Sequence, residues 1–205
     1  MTNTTSTVAT APFAADSFAT IPYATISFAT IDSPIGRIEL ESNGRAVTWL
    51  SIEGDEHSEH GTLRYGGASS SDGGGSGGGA GRGASGPTDA VLTQAITELG
   101  EYFAGTRRDF SVPVELSGTE FQRSVWAQLS GIGWGKHRSY ADIAEAIGKP
   151  GAFRAVGGAV GANPVPLIVG CHRVLARDGR ITGYSAGGGI ATKQFLLTLE
   201  GIESR

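Results

Sequence analysis

Residues Ser139 to Val174 read SYADIAEAIGKPGAFRAVGGAVGANPVPLIVGCHRV, and the fold turns on this run. Ser139 is a capping residue ahead of Tyr140 to Ile147, where Ile143, Ala144 and Ile147 recur at helical spacing and face inward. Gly148-Lys149-Pro150-Gly151 then forces a sharp turn. A second helix is expected over Ala152 to Val160, and two short helices across a glycine-bearing turn give a helix-turn-helix outline. The second helix carries few bulky side chains, being built on Ala152, Ala155, Gly157, Gly158 and Ala159. Each glycine costs a helix about 1 kcal/mol. Such a surface therefore implies close approach of a partner, either a packed neighbouring helix or a nucleic-acid groove. Asn163-Pro164-Val165-Pro166 ends the helix, and an apolar run dives inward to deliver Cys171 beside His172 and Arg173.

Cys171 is the one cysteine of the 205 residues, which excludes an intrachain disulfide and a zinc site built on several thiolates. No metal or cofactor is expected. A thiol attacks as its thiolate, and an adjacent His or Arg favours that form. Neighbours along an extended strand point to opposite faces. His172 can therefore serve Cys171 only where the chain bends or a water bridges them. On chemistry alone, a Cys-His pair in sequence is more often coincidence than catalysis, and a buried structural cysteine is the commoner case.

Upstream, Thr119 and Gln122 form a capping-box pattern, followed by an apolar stripe of Phe121, Val125, Trp126 and Leu129 that reads as core. A further helix is capped by Thr88 or Asp89, with Val91, Leu92, Ala95, Ile96, Leu99 and Phe103 on one face. Before it, 11 glycines in residues 66–86 mark a flexible insertion. The G-x-G-x-x-G pattern at Gly73, Gly75 and Gly78 is an accident of that composition, since no strand leads into it. His57 and His60, among Asp55, Glu56 and Glu59, read as a charged loop rather than a metal site. Ile38 and Leu40 alternate with charged residues in a half-buried strand, Asn43-Gly44 turns the chain, and Val47 to Ile52 returns. The unit Phe-Ala-Thr-Ile at 28–31, third in a row after Phe18-Ala-Thr-Ile and Tyr23-Ala-Thr-Ile, enters the first strand, and residues 1–26 read as a mobile tail.

The net charge of −4 is uneven. Residues 121–180 hold eight basic side chains (Arg123, Lys136, Arg138, Lys149, Arg154, Arg173, Arg177 and Arg180) against the acids Asp142, Glu145 and Asp178. A local excess of that sign suits phosphate contacts, and equally a solvated basic face. No apolar run approaches the ~20 residues of a membrane span. Met1 to Asp16 carry neither Lys nor Arg and no continuous apolar stretch, so they do not read as a signal peptide, and the cytosol is the expected compartment.

The segment Asn163-Pro-Val-Pro…Cys171-His-Arg-Val resembles the signature of the O6-alkylguanine-DNA alkyltransferases (methylated-DNA–protein-cysteine methyltransferases). The likeness extends to Gly118-Thr-Glu-Phe-Gln, Val125-Trp, Ser139-Tyr, Arg154-Ala-Val-Gly-Gly-Ala, Gly183-Tyr-Ser, Lys193, Leu196-Leu197 and Leu199-Glu200-Gly201. It covers about residues 90–203 strongly and the β region from 28 weakly.

The resemblance implies an α/β (α+β) protein. A small β-rich, ribonuclease-H-like domain would occupy 27–112, with the glycine-rich insertion at 66–87, and a helical DNA-binding and alkyl-acceptor domain 113–205. It implies repair by direct reversal of damage, with irreversible transfer of the alkyl group to Cys171 and one turnover per chain. Arg154 would refill the base stack when the nucleotide flips out, with Ala152, Ala155 and Gly157 beside it in the groove. Tyr140 would press on the phosphate and donate to the flipped guanine, and Asn163 would be the hinge of the active-site loop. The backbone of Cys171 and Val174, with Tyr184 and Ser185, would line the pocket. His172 would take the thiol proton through a water, oriented by Glu200. The partner would be duplex DNA bound by a monomer.

The sequence departs from the family pattern at Gly170 and Gly133, where prolines are usual, and at Phe153, where a small residue is usual. The stretch from Ser185 to Ile190 is two residues longer than in shorter members. Gly170 is expected to loosen the nucleophile loop, and Phe153 to hinder the groove or add a second wedge. A lesion-binding module without transfer, a helix-turn-helix regulator and a Cys-His-Glu hydrolase are the competing readings. The resemblance implies O6-alkylguanine as the substrate and leaves O4-alkylthymine open as a second one.

Overall fold

A computed structural model describes residues 26–54 and 89–205. The glycine-rich insertion, His57, His60, Thr88 and residues 1–25 of the expected tail lie outside the described residues.

Three antiparallel strands, β1 (Ser27–Ile31), β2 (Ile38–Ser42) and β3 (Val47–Ile52), pair in sequence order. The register sets Ile38 opposite Ile52 and Leu40 opposite Leu50, so the alternation read from sequence becomes one buried apolar face. The turn after β2 closes on Asn43, whose Oδ1 accepts from the backbone N–H of Arg45 and Ala46, both at 3.0 Å. Gly44, at φ 79°, supplies the left-handed conformation that this turn requires.

Helix α1 (Ala90–Phe103) packs on all three strands. Its N-cap is Asp89, which accepts from Val91 N and Leu92 N. Val91, Leu92, Ala95 and Leu99 are buried as expected, but Tyr102 rather than Phe103 completes the face, and Ile96 is only half-buried. Glu98 also lies on the buried side, where Ser111 N and Val112 N donate to its carboxylate and hold the following segment against the helix. Residues 113–115 then run beside β3, with Val47 N donating to Pro113 O and Glu115 N to Val47 O.

Helix α2 (Glu120–Ser130) starts with the capping box of Thr119 and Gln122. It buries Val125, Trp126 and Leu129, and burying a Val or Leu side chain contributes about 1.5–3 kcal/mol. The short strand β4 (Arg138–Ser139) pairs in parallel with β5 (Val174–Leu175). Helix α3 (Tyr140–Ala146) has a second capping box, made by Ser139 and Asp142. Helix α4 (Phe153–Gly161) begins and ends one residue later than the sequence reading, because Ala152 is its N-cap. The small residues of α4 serve packing as well as exposure: Ala159 and Val156 are buried, and the Trp126 indole N–H donates to Ala159 O at 2.8 Å. Helix α5 (Ile190–Leu199) closes the chain. Residues of the β-sheet, α1, α2, α3, α4 and the Cys171 loop share one continuous apolar core. Among the described residues, no helix is long and apolar enough to cross a membrane.

Candidate active site

The chain arrives at the site through a tight knuckle. Leu167 is fully buried at φ 72°, a left-handed conformation that costs a non-glycine residue about 1–2 kcal/mol. Neighbours hold it there: Ile168 N donates to Pro166 O, and Val169 N to Val165 O, both at 3.0 Å. Asn163 clips the two ends of this loop together, with Nδ2 donating to Val169 O at 2.9 Å and Oδ1 accepting from Val165 N at 3.1 Å. Leu50 N of β3 donates to Pro164 O at 2.9 Å, so the N-terminal sheet also grips the loop.

Cys171 heads a single 3-10 turn, Cys171–Arg173. The chain bends at the nucleophile, which removes the opposite-faces objection to a Cys171–His172 partnership. Gly170 sits at φ −67°, the value a proline would impose, so no glycine-only conformation is in use there. A Cβ at Gly170 would lie 3.0 Å from Arg173 Cδ. Gly133 has open space where a side chain would go.

The thiol is 4% exposed, and burial pushes its pKa above the ordinary value. Hydrogen bonding from Asn163 and Tyr184 and the positive charge of Lys193 partly oppose that shift. Tyr184 Oη lies 3.9 Å from the sulfur. Burial, reinforced by the sulfur, raises the Tyr184 phenol well above its ordinary range, so it remains a neutral hydroxyl.

On the inner side of the turn, His172 Nε2 lies 2.8 Å from Glu200 Oε1. Burial would raise the Glu200 pKa, but hydrogen bonds and charge from His172 and Arg173 override it and bring the carboxyl down to about 2. An ionised carboxylate only accepts, so His172 carries its proton on Nε2 and presents Nδ1 as an acceptor. That Nδ1 is buried without a partner among the described residues. Burial also lowers the pKa of His172 despite Glu200, which keeps the ring neutral.

Arg173 donates through Nε to Glu200 Oε2 at 2.8 Å, through Nη2 to Oε1 at 2.9 Å, and through Nη1 to Ile132 O at 2.5 Å. Its charge is thus taken up inside the protein, and Arg173 leaves the set of basic residues available to phosphate. Arg177 is exposed and 3.7 Å from Glu145, and Arg180 pairs with Asp178 at 2.7 Å.

A cavity of about 1010 Å³ opens outward from Cys171. Of the residues expected at the site, Tyr140, Gly157, Cys171, Tyr184 and Ser185 line it. Ser185 is anchored by donating to Gly161 O at 3.0 Å. Val174 is fully buried and is not among the lining residues. Its carbonyl accepts from Lys193 Nζ at 2.5 Å. Arg154 and Ala155 are exposed on α4 and Ala152 is half-buried at its N-cap, and none of the three lines the cavity. Phe153 lines the cavity at 45% exposure, with the Arg154 guanidinium 5.3 Å from its ring.

Two further residues went unassigned in the sequence reading. Lys193 is 1% exposed on α5, donates also to Gly183 O at 3.2 Å and lines the cavity. Burial, opposed by Cys171, lowers its pKa to about 8. A lysine on the apolar side of a helical stretch was the available signal. Tyr102 of α1 donates to Glu200 Oε1 at 2.7 Å, across 98 residues of sequence, and no local pattern marks that contact.

Residues 26–116 match the family described as 6-O-methylguanine DNA methyltransferase, ribonuclease-like domain, and residues 120–202 match its DNA binding domain. The chain is 41% identical over 170 residues to the methylated-DNA–protein-cysteine methyltransferase of Mycobacterium tuberculosis, covering 83% of this chain and 89% of that protein. It belongs to the methylated-DNA–protein-cysteine methyltransferase family. The match to the Mycolicibacterium paratuberculosis member is 53% over 106 residues and spans 52% of this chain and 63% of that protein. A crystal structure of the M. tuberculosis protein in complex with DNA superposes with a TM-score of 0.65 at 39% identity, over 84% of this chain and 91% of that one. The family is one of direct-reversal DNA repair methyltransferases that use a cysteine nucleophile. In the present methyltransferase the sole cysteine stands at the floor of the cavity.

Proposed function

We propose that this methyltransferase flips an O6-alkylguanine out of duplex DNA into the cavity and transfers the alkyl group to Cys171, once per chain. The observation that carries the reading is the position of Cys171 between an open cavity on one side and the neutral, Glu200-held His172 on the other. An alkylated base inside a duplex is out of reach of any thiol, so extrusion precedes chemistry at a cost of a few kcal/mol. Arg154 would refill the stack, a role its exposure beside the small residues of α4 supports, while Ala152, Ala155 and Gly157 would let the groove come close.

In the reaction the Cys171 proton passes through a water to His172 Nδ1, and the sulfur attacks the alkyl carbon. The S–C bond forms as the C–O6 bond breaks, and guanine leaves with the electron pair. Tyr140 donates to the departing base, and Tyr184 and Ser185 hold the pocket wall. The Val174 backbone lies behind that wall, tied to Lys193. Asn163 links the end of α4 to the nucleophile loop as the hinge. Glu200 fixes the tautomer of His172. A thioether does not hydrolyse, so no step restores the thiol. In this reading residues 27–112 form an N-terminal unit that supports the loop and 113–205 bind DNA and accept the alkyl group. The protein acts as a monomer in the cytosol.

Mixing the protein with excess O6-methylguanine duplex tests the reading. Lesion loss should stop after one equivalent per chain, and Cys171→Ala should remove none. Continued turnover would point instead to a hydrolase, and tight lesion binding with no loss at all to a damage-binding module.

A further inference from the structure

We infer that Tyr102, far from the helix-turn-helix in sequence, is a positioning residue of the active site: its hydroxyl holds Glu200 and so sets how strongly His172 accepts a proton. The inference rests on the reading of His172 as the group that receives the thiol proton. Glu200 Oε1 is the meeting point, accepting from Tyr102 Oη at 2.7 Å, His172 Nε2 at 2.8 Å and Arg173 Nη2 at 2.9 Å. Three donors share the electron density of one oxygen, so removing any of them leaves more for the other two.

The phenol cannot wander. Its ring is fully buried and lies 5.4 Å from Phe103 and 5.3 Å from both Phe110 and Trp134. Glu200, Arg173, Lys193, Cys171 and Tyr184 are the other titratable or charged groups of this cluster, and of them only the Glu200 carboxylate is negative at neutral pH. An effect of the Tyr102 hydroxyl on His172 therefore runs through Glu200.

A phenylalanine would keep the ring packing and delete only the hydroxyl. In Tyr102→Phe, Oε1 should bind the His172 Nε2–H more tightly and hold its imidazolium better, so His172 becomes more basic. The acidic limb of the pH–rate profile for methyl transfer from O6-methylguanine duplex should move up by about 0.5–1 pH unit, the equivalent of one neutral hydrogen bond. A purely structural role would lower the thermal midpoint and leave the limb in place.

The test pairs that profile with nitrogen NMR of 15N-histidine-labelled full-length protein, wild type and Tyr102→Phe. The expected result is that the His172 Nε2 resonance shifts and its titration moves up in the variant. If His172 is unmoved, the inference is overturned whatever the rate does. If His172 moves and the rate profile does not, the coupling stands and the assignment of His172 as proton acceptor falls. Should Tyr102→Phe fail to fold, 3-fluorotyrosine at position 102 takes its place. It is a stronger donor and should move His172 in the opposite direction, and no movement there overturns the inference equally.

Discussion

The two sides of Cys171 are built on opposite principles. Behind it, His172, Arg173, Glu200 and Tyr102 are buried, and hydrogen bonds converge on one carboxylate. In front, Tyr140 and Phe153 border an open cavity, and Phe153 is exposed with the exposed Arg154 against its ring. The inner side pairs its buried polar groups, His172 Nδ1 apart, because leaving them unpaired is costly, whereas the outer side is left for something else to cover. A nucleophile that acts once needs its protonation chemistry fixed in advance and its reach open to a large polymer.

The contrast breaks most severely at Glu200. Replacing it by alanine leaves the Arg173 guanidinium and the His172 N–H without their acceptor in the interior, and loss of one partner of a buried pair costs roughly 3–5 kcal/mol. Urea denaturation of Glu200→Ala should show that loss, together with abolished transfer. Retention of full stability would mean that the inner network contributes nothing.

The outer side predicts the reverse pattern. Arg154→Ala should slow transfer from duplex DNA by roughly tenfold to a hundredfold, the worth of one base-stacking contact. Its denaturation midpoint should change by less than about 0.5 kcal/mol in stability. A destabilised Arg154→Ala protein, or an unchanged rate, would erase the distinction between the two sides.

The pH dependence of stability sharpens the comparison, because two buried charges act with opposite sign. Glu200 has a folded pKa of about 2 against an ordinary 4.5, so its contribution is present above about 4.5 and is lost as pH falls toward 2. Lys193, at about 8 against 10.5, is disfavoured in its charged form when folded, so stability should rise as pH climbs from about 8 to 10.5. Chemical denaturation across both windows checks each slope, and Lys193→Met should flatten the alkaline one. The smallest effect is expected at Gly133, where the site of a side chain is empty. Gly133→Ala should stay within about 0.5 kcal/mol of the parent in stability.

Much of the outer side was legible in the sequence because local rules govern it. The Thr119 capping box, the Ser139 cap, the glycine turn and the small residues of α4 each announce themselves within a few positions. The inner side was legible only in part. Cys171 stood out as the lone cysteine with His172 and Arg173 beside it and Glu200 came from family resemblance, yet Arg173 was also counted among charges open to phosphate or solvent and Tyr102 went unread. Both depend on contacts that cross from distant segments, 27 residues in one case and 98 in the other. Helical spacing placed Phe103 on the buried face of α1, but packing turned Tyr102 inward, where its hydroxyl had an acceptor. Gly170, a departure expected to loosen the loop, takes up a proline-like φ within a network of hydrogen bonds supplied from elsewhere.

The central claim concerns the fate of one sulfur, and peptide-mapped mass spectrometry reads it directly. After reaction with an equimolar O6-methylguanine duplex, the peptide containing Cys171 should carry one methyl group, with unmodified guanine restored in the DNA. A repaired duplex alongside an unmodified Cys171 peptide would contradict the account.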